Sequence, residues 1–144
     1  MKKIFYASIS YLLLGLASGV FYRKFTVLNN FTGNTQLKAA HTHILILGFL
    51  IFLILTLFEK VFNISKNKWF NKFFVVYNSG LILTTVMIFI IGIAQVKGKN
   101  IGPAMSGISG LGHVIITVGF VFLFMVLKGQ LFLKNKNKEL INSL

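Results

Sequence analysis

The chain contains no cysteine. That excludes disulfides, thiolate zinc sites, iron–sulfur clusters, c-type haem attachment and thiol chemistry together. Acidic residues are nearly absent as well, Glu59 and Glu139 being the only two. None falls inside a long apolar run, so a calcium or magnesium site there lacks its oxygen ligands. No catalytic base or nucleophile is identifiable. Proline occurs once, at position 103. Charged residues make up 12% of the 144 positions, against about a quarter in an ordinary soluble domain.

What is present in excess is apolar. Hydrophobic residues account for 56% of the chain, and the mean hydropathy is +0.81. Four runs approach or exceed the roughly 20 apolar residues that cross a bilayer as a helix. They cover about 4–22, 37–58, 73–96 and 106–127. Asn29 to Asn34, Asn63 to Asn71 and Lys97 to Pro103 separate them. Proline just before the fourth run suits a helix start. The fold predicted is all-α: one four-helix integral membrane bundle over 1–144, with a short polar tail from Lys134 to Leu144. The first run is no signal peptide, because it is too long and is followed by aromatics and Arg23-Lys24.

The formal net charge is +13, yet it points to lipid headgroups rather than to nucleic acid. The basic residues gather at the ends of the runs, where their stems lie along lipid and their charges reach the headgroups. Lys2, Lys3, Lys60, Lys66, Lys68, Lys72, Lys128, Lys134, Lys136 and Lys138 fall on one side; Arg23, Lys24, Lys38, Lys97 and Lys99 fall on the other. The richer side is expected to be cytoplasmic, placing both termini there in a bacterial plasma membrane. Trp69 and Tyr77 are expected at the inner interface and Tyr22 at the outer. Cysteine-accessibility labelling checks this: Asn34→Cys should react from outside intact cells, and Lys66→Cys should be protected. The reverse pattern would refute the orientation.

Three histidines, His41, His43 and His113, lie within the second and fourth runs. An ionisable group at membrane depth needs a partner. Both runs start from the same side, so the three imidazoles sit at similar depth. On the fourth helix His113 shares a stripe with Ser106, Gly110 and Thr117. On the second, His41 shares one with Leu45, Gly48 and Phe52. His43, two residues on, points to roughly the opposite side, so one of the two histidines can face His113 but not easily both. The expected pair is His41 with His113, leaving His43 behind them or between subunits. Gly48 and Gly110 would leave room beside these rings for something flat and wide. Gly15 and Gly19 stand at small-xxx-small spacing on helix one, and a homo-oligomer is expected. Asn78, Thr85 and Gly92 recur every seven residues along a bundle-facing seam.

Histidines without thiols or carboxylates select few cofactors. A tetrahedral zinc site wants three or four converging ligands, which an i, i+2 pair on one helix supplies awkwardly. Haem b needs one or two axial imidazoles, an apolar wall and cations for its propionates. His41 or His43 with His113 supply the first, Leu, Ile, Phe and Gly side chains the second. Lys38, Arg23, Lys24, Lys97 and Lys99 supply the third. Copper or another metal, held by histidine with Met87 or Met105, is the alternative ligand. The function predicted is a membrane b-type haem protein for electron transfer, or for sensing or handling haem or a gas. The competing reading is a non-redox protein: an assembly factor, a metal-binding protein, or a solute or proton pathway. There the histidines are polar contacts and the glycines serve packing alone. No redox partner is named by the sequence.

The segments Lys38-Ala39-Ala40-His41-Thr42-His43-Ile44-Leu45-Ile46-Leu47-Gly48-Phe49 and Ser106-Gly107-Ile108-Ser109-Gly110-Leu111-Gly112-His113 carry a resemblance. Together they are similar to a family of small four-helix bacterial membrane proteins known as a domain of unknown function. More distantly, the basic-x-x-His-Thr pattern resembles the second helix of haem–copper oxidase and nitric oxide reductase catalytic subunits. That resemblance implies an axial haem role for His41, with Lys38 where arginine is usual. Transfer of the second axial role to His113 is by geometry only, because those enzymes take theirs from a much later helix. Their copper-binding histidines and crosslinked tyrosine are missing here, which argues against oxygen reduction.

Overall fold

The computed structural model describes residues 2–142, with side chains through residue 132; the expected tail over 134–144 lies outside the described side chains. Four helices follow in order: α1 (Lys2–Leu28), α2 (Leu37–Phe62), α3 (Phe70–Val96) and α4 (Pro103–Asn142). All four are long and apolar enough to span a bilayer, α4 over Pro103–Phe132. They run past the apolar stretches at several ends, since flanking basic residues such as Arg23 and Lys24 are good helix formers that reach the headgroups. Pro103 is the first residue of α4, where its missing N–H costs nothing.

The tightest pairing is α3 with α4, and small residues permit it. A Cβ on Gly80 would lie 2.7 Å from the Ile116 backbone nitrogen, and one on Gly119 would lie 2.8 Å from the Tyr77 Cα. Gly112 meets Thr84 in the same way. Membrane helices lack a hydrophobic drive toward each other, so such close backbone approach supplies the dispersion contact that holds them.

Toward the Trp69 end the core is aromatic. Phe52, fully buried, meets Tyr11 at 5.7 Å between ring centroids, Phe74 at 5.7 Å and Tyr77 at 5.9 Å. Tyr77 is fully buried in this cluster rather than placed at an interface as the sequence implied. Its hydroxyl donates to the Leu47 carbonyl at 2.9 Å. Trp69 fits a headgroup-level position: it stacks on Phe122 at 5.8 Å and carries the Lys72 ammonium 4.5 Å above its ring.

One irregularity sets the geometry that follows. α2 is α-helical over Leu37–His43, π-helical over Ile44–Leu50 and α-helical again over Ile51–Phe62. A π turn leaves carbonyls poorly served by their own helix. Two neighbours take them up: Tyr77 of α3 at Leu47, and Ser8 of α1, whose hydroxyl donates to the Phe49 carbonyl at 3.3 Å. α2 then ends at Asn63, in the left-handed region at φ 51°, which asparagine tolerates better than most residues. Glu59 closes this turn by accepting from the Ser65 backbone N–H at 2.8 Å and from its hydroxyl.

Candidate functional site

At the opposite end of the bundle, the first turn of α2 is pinned to α3. Leu37 is fully buried against Gly92; a Cβ there would stand 2.6 Å from the Leu37 nitrogen. Thr35 donates to the Gly92 carbonyl at 2.8 Å, and the Gln36 N–H donates to the Gln95 side-chain oxygen at 2.7 Å. These contacts fix the rotation of α2 just before its histidines.

Leu37, Ala40 and Ile44 form the buried stripe of this turn. His41 and His43 flank it from opposite sides, as residues two apart must. His41 lies against α1, its Cβ 3.7 Å from where a Gly19 Cβ would be. His43 lies toward α4, and its ring is the one that meets His113: centroids 6.1 Å apart, planes at 88°. The expected partner of His113 was His41; the structure brings His43 instead. The stripe through His41, Leu45, Gly48 and Phe52 assumed a uniform 3.6-residue period, and the π-helical stretch breaks that period.

The two facing rings share a hydrogen-bonding pattern. His43 Nδ1 lies 3.0 Å from the Ala39 carbonyl, and His113 Nδ1 lies 3.1 Å from the Ser109 carbonyl. A carbonyl can only accept, so each Nδ1 carries a proton, and in the neutral ring the Nε2 keeps its lone pair. Neither Nε2 has a hydrogen-bond partner among the described residues. An Nδ1–H tied to a backbone carbonyl is the usual outer arrangement of a metal-ligating histidine. His41 differs: its Nδ1 is buried without a partner, and its Nε2 is 3.4 Å from the Thr42 hydroxyl.

The remaining expected residues divide. Lys38 joins Thr35, Ala39, Thr42 and His43 around an open recess of about 410 Å³. Gly110 faces open space: a Cβ there, or on Gly107, would touch nothing within 4 Å. Thr117 is exposed and donates to the His113 carbonyl at 2.9 Å, so it supports the helix below the ring. Gly48 does not flank the histidines. A Cβ on it would collide with Tyr11, so it is a packing glycine between α1 and α2. Gly15 is likewise buried against Leu45, which places part of the small-residue face of α1 inside the bundle rather than at an oligomer contact. His113 itself is exposed, because α2 and α4 make little backbone contact beside it.

No group of three or more His, Cys, Asp or Glu residues suited to one metal ion occurs among the described residues. A closed zinc-type centre therefore has no ligand set there, whereas the His43–His113 ring contact remains. The features described define a four-span helical membrane protein with a histidine pair at one end of its bundle. The model of a family described as "Protein of unknown function (DUF2871)" matches residues 1–130, and the chain belongs to that family. No curated protein and no solved structure matches it.

Proposed function

We propose that this protein is a membrane-embedded b-type haem protein whose axial ligands are His43 and His113. The observation that carries the reading is their mutual placement. Two imidazoles ligating one metal from opposite sides put their centroids about 6 Å apart, from two metal–nitrogen bonds of about 2 Å and two ring radii of about 1 Å. The observed separation is 6.1 Å, and neither Nε2 bonds to a described residue. An imidazole near one end of a membrane span gains from a partner; shared coordination would supply one to both rings. The Gly107 and Gly110 surface leaves open space on α4 near His113, and Lys38, which shares an open recess with His43, would supply a cation for a propionate.

Haem would supply one-electron redox chemistry. His43 and His113 would hold the group, each imidazole fixed through the backbone carbonyl its Nδ1 meets. With both histidines engaged, such a site would suit electron transfer better than gas binding. Titrating purified protein with haemin tests this. Saturable uptake should produce a low-spin spectrum, and the near-perpendicular imidazole planes should give a strongly anisotropic ferric EPR signal. Absence of saturable uptake would overturn the proposal.

A further inference from the structure

The Trp69 end of the bundle carries a recess of about 380 Å³ where α1 and α3 both begin. Lys2, Lys3 and Ile4 line it from α1, Phe70 and Asn71 from α3, and Ser65 from the α2–α3 connection. Its frame is fixed. Ile4, Ile64 and Phe70 are buried, and Glu59 holds Ser65 by accepting from both its backbone N–H and its hydroxyl. Trp69, at the foot of α3, sets the depth, since tryptophan favours the membrane–water interface.

Charge decides what the recess accepts. Glu59 is the only acidic residue before position 139. It is buried, and Ser65 engages both of its carboxylate oxygens. The exposed Lys2 and Lys3 therefore face no unengaged carboxylate among the described side chains. Two ammonium groups beside the Asn71 amide suit a phosphate, whose oxygens accept from charged donors.

The seam below the recess decides between a lipid phosphate and a free one. α1 and α3 make little backbone contact. Lys3, Ala7, Ser10 and Leu14 descend one helix at helical spacing, and Asn71, Val75, Asn78 and Ile82 the other. Both stripes lead from the recess to an apolar slot, which Leu14 and Ile82 help to line. The rise from Lys3 to Leu14 is about 16 Å, about half of a hydrocarbon core of roughly 30 Å. An acyl chain attached to a phosphate in the recess has a track there; a free ion has no use for one. We propose that the recess binds the phosphate of an anionic phospholipid, with Lys2 and Lys3 as its cations and an acyl chain along the α1–α3 seam. The inference stands apart from the haem reading and uses none of its residues.

Native mass spectrometry of the full-length protein in detergent tests it, with phosphatidylglycerol and phosphatidylcholine of identical chains as probes. Wild type should bind phosphatidylglycerol saturably and phosphatidylcholine more weakly. Lys2→Gln/Lys3→Gln should weaken phosphatidylglycerol about five- to twenty-five-fold, and Lys2→Arg/Lys3→Arg should retain it. Lys60→Gln/Lys128→Gln removes the same charge from the same end outside the recess and should leave binding unchanged. Inorganic phosphate should displace no more lipid than chloride at equal ionic strength. Equal losses in the two glutamine doubles would make the attraction diffuse and overturn the site. Equal binding of the two lipids would overturn it as well. Displacement by phosphate beyond that by chloride would make it a free-anion site and overturn the lipid assignment.

Discussion

Replacing His43 with alanine should abolish the low-spin haem spectrum, His113→Ala should do the same, and His41→Ala should leave it in place. The expectation follows from which ring faces which. His43 and His113 are 6.1 Å apart with perpendicular planes, whereas His41 packs beside Gly19 of α1. Loss of an outer-shell partner alone lowers metal affinity about 10–100-fold, so loss of an axial ligand should cost more than about 100-fold. Reduced-minus-oxidised spectra of the three variants, expressed with haem supplied, make the comparison. Loss of the spectrum in His41→Ala with retention in His43→Ala would restore the pairing first expected from the sequence and refute the present one.

Gly92→Ala should be strongly destabilising. Its Cβ would stand 2.6 Å from the backbone nitrogen of Leu37. Backbone cannot swing aside as a flexible side chain does, so the first turn of α2 must move away from α3. Overpacking of this kind costs typically 1–3 kcal/mol and occasionally more. The Thr35 bond to the Gly92 carbonyl and the Gln36 bond to Gln95 would be strained with it. The expected result is a clear drop in thermal stability in detergent, together with weaker haem uptake, because Lys38 and His43 ride on that turn. Gly110→Ala is the control: nothing lies within 4 Å of that position, so stability should be unchanged. Equal stability of the two variants would refute the account of the α2–α3 lock.

The four spans were legible because length and hydropathy fix a membrane helix almost without reference to tertiary structure. The sequence also places His41, His43 and His113 near one end of the bundle from spacing alone. Which of His41 and His43 meets the His113 ring it does not say. Residues two apart on a helix point to opposite sides, so the sequence narrows the choice to one of the pair without saying which. The answer depends on the Leu37–Gly92 contact, a long-range lock carried by small and aliphatic residues that no local pattern announces. Gly48 misled for a related reason: a glycine reads the same whether it clears space for a ligand or for Tyr11. Tyr77 likewise carries an interfacial residue type, and only the carbonyl freed at Leu47 explains why its hydroxyl is content in the core.

The π-helical stretch of α2 amounts to about one extra residue spread over Ile44–Leu50. Without that slack, the turn carrying Lys38 to His43 would be rotated by about 100° relative to the half carrying Phe52. α2 is therefore two dials on one shaft. One is set by the aromatic nest around Phe52, the other by the latch on Gly92, and the loosened turn between them absorbs the disagreement. The hydroxyls of Tyr77 and Ser8 hold that clutch engaged from either side. The bearing of the His43 imidazole at one membrane face is thus answerable to packing about two turns away, nearer the other.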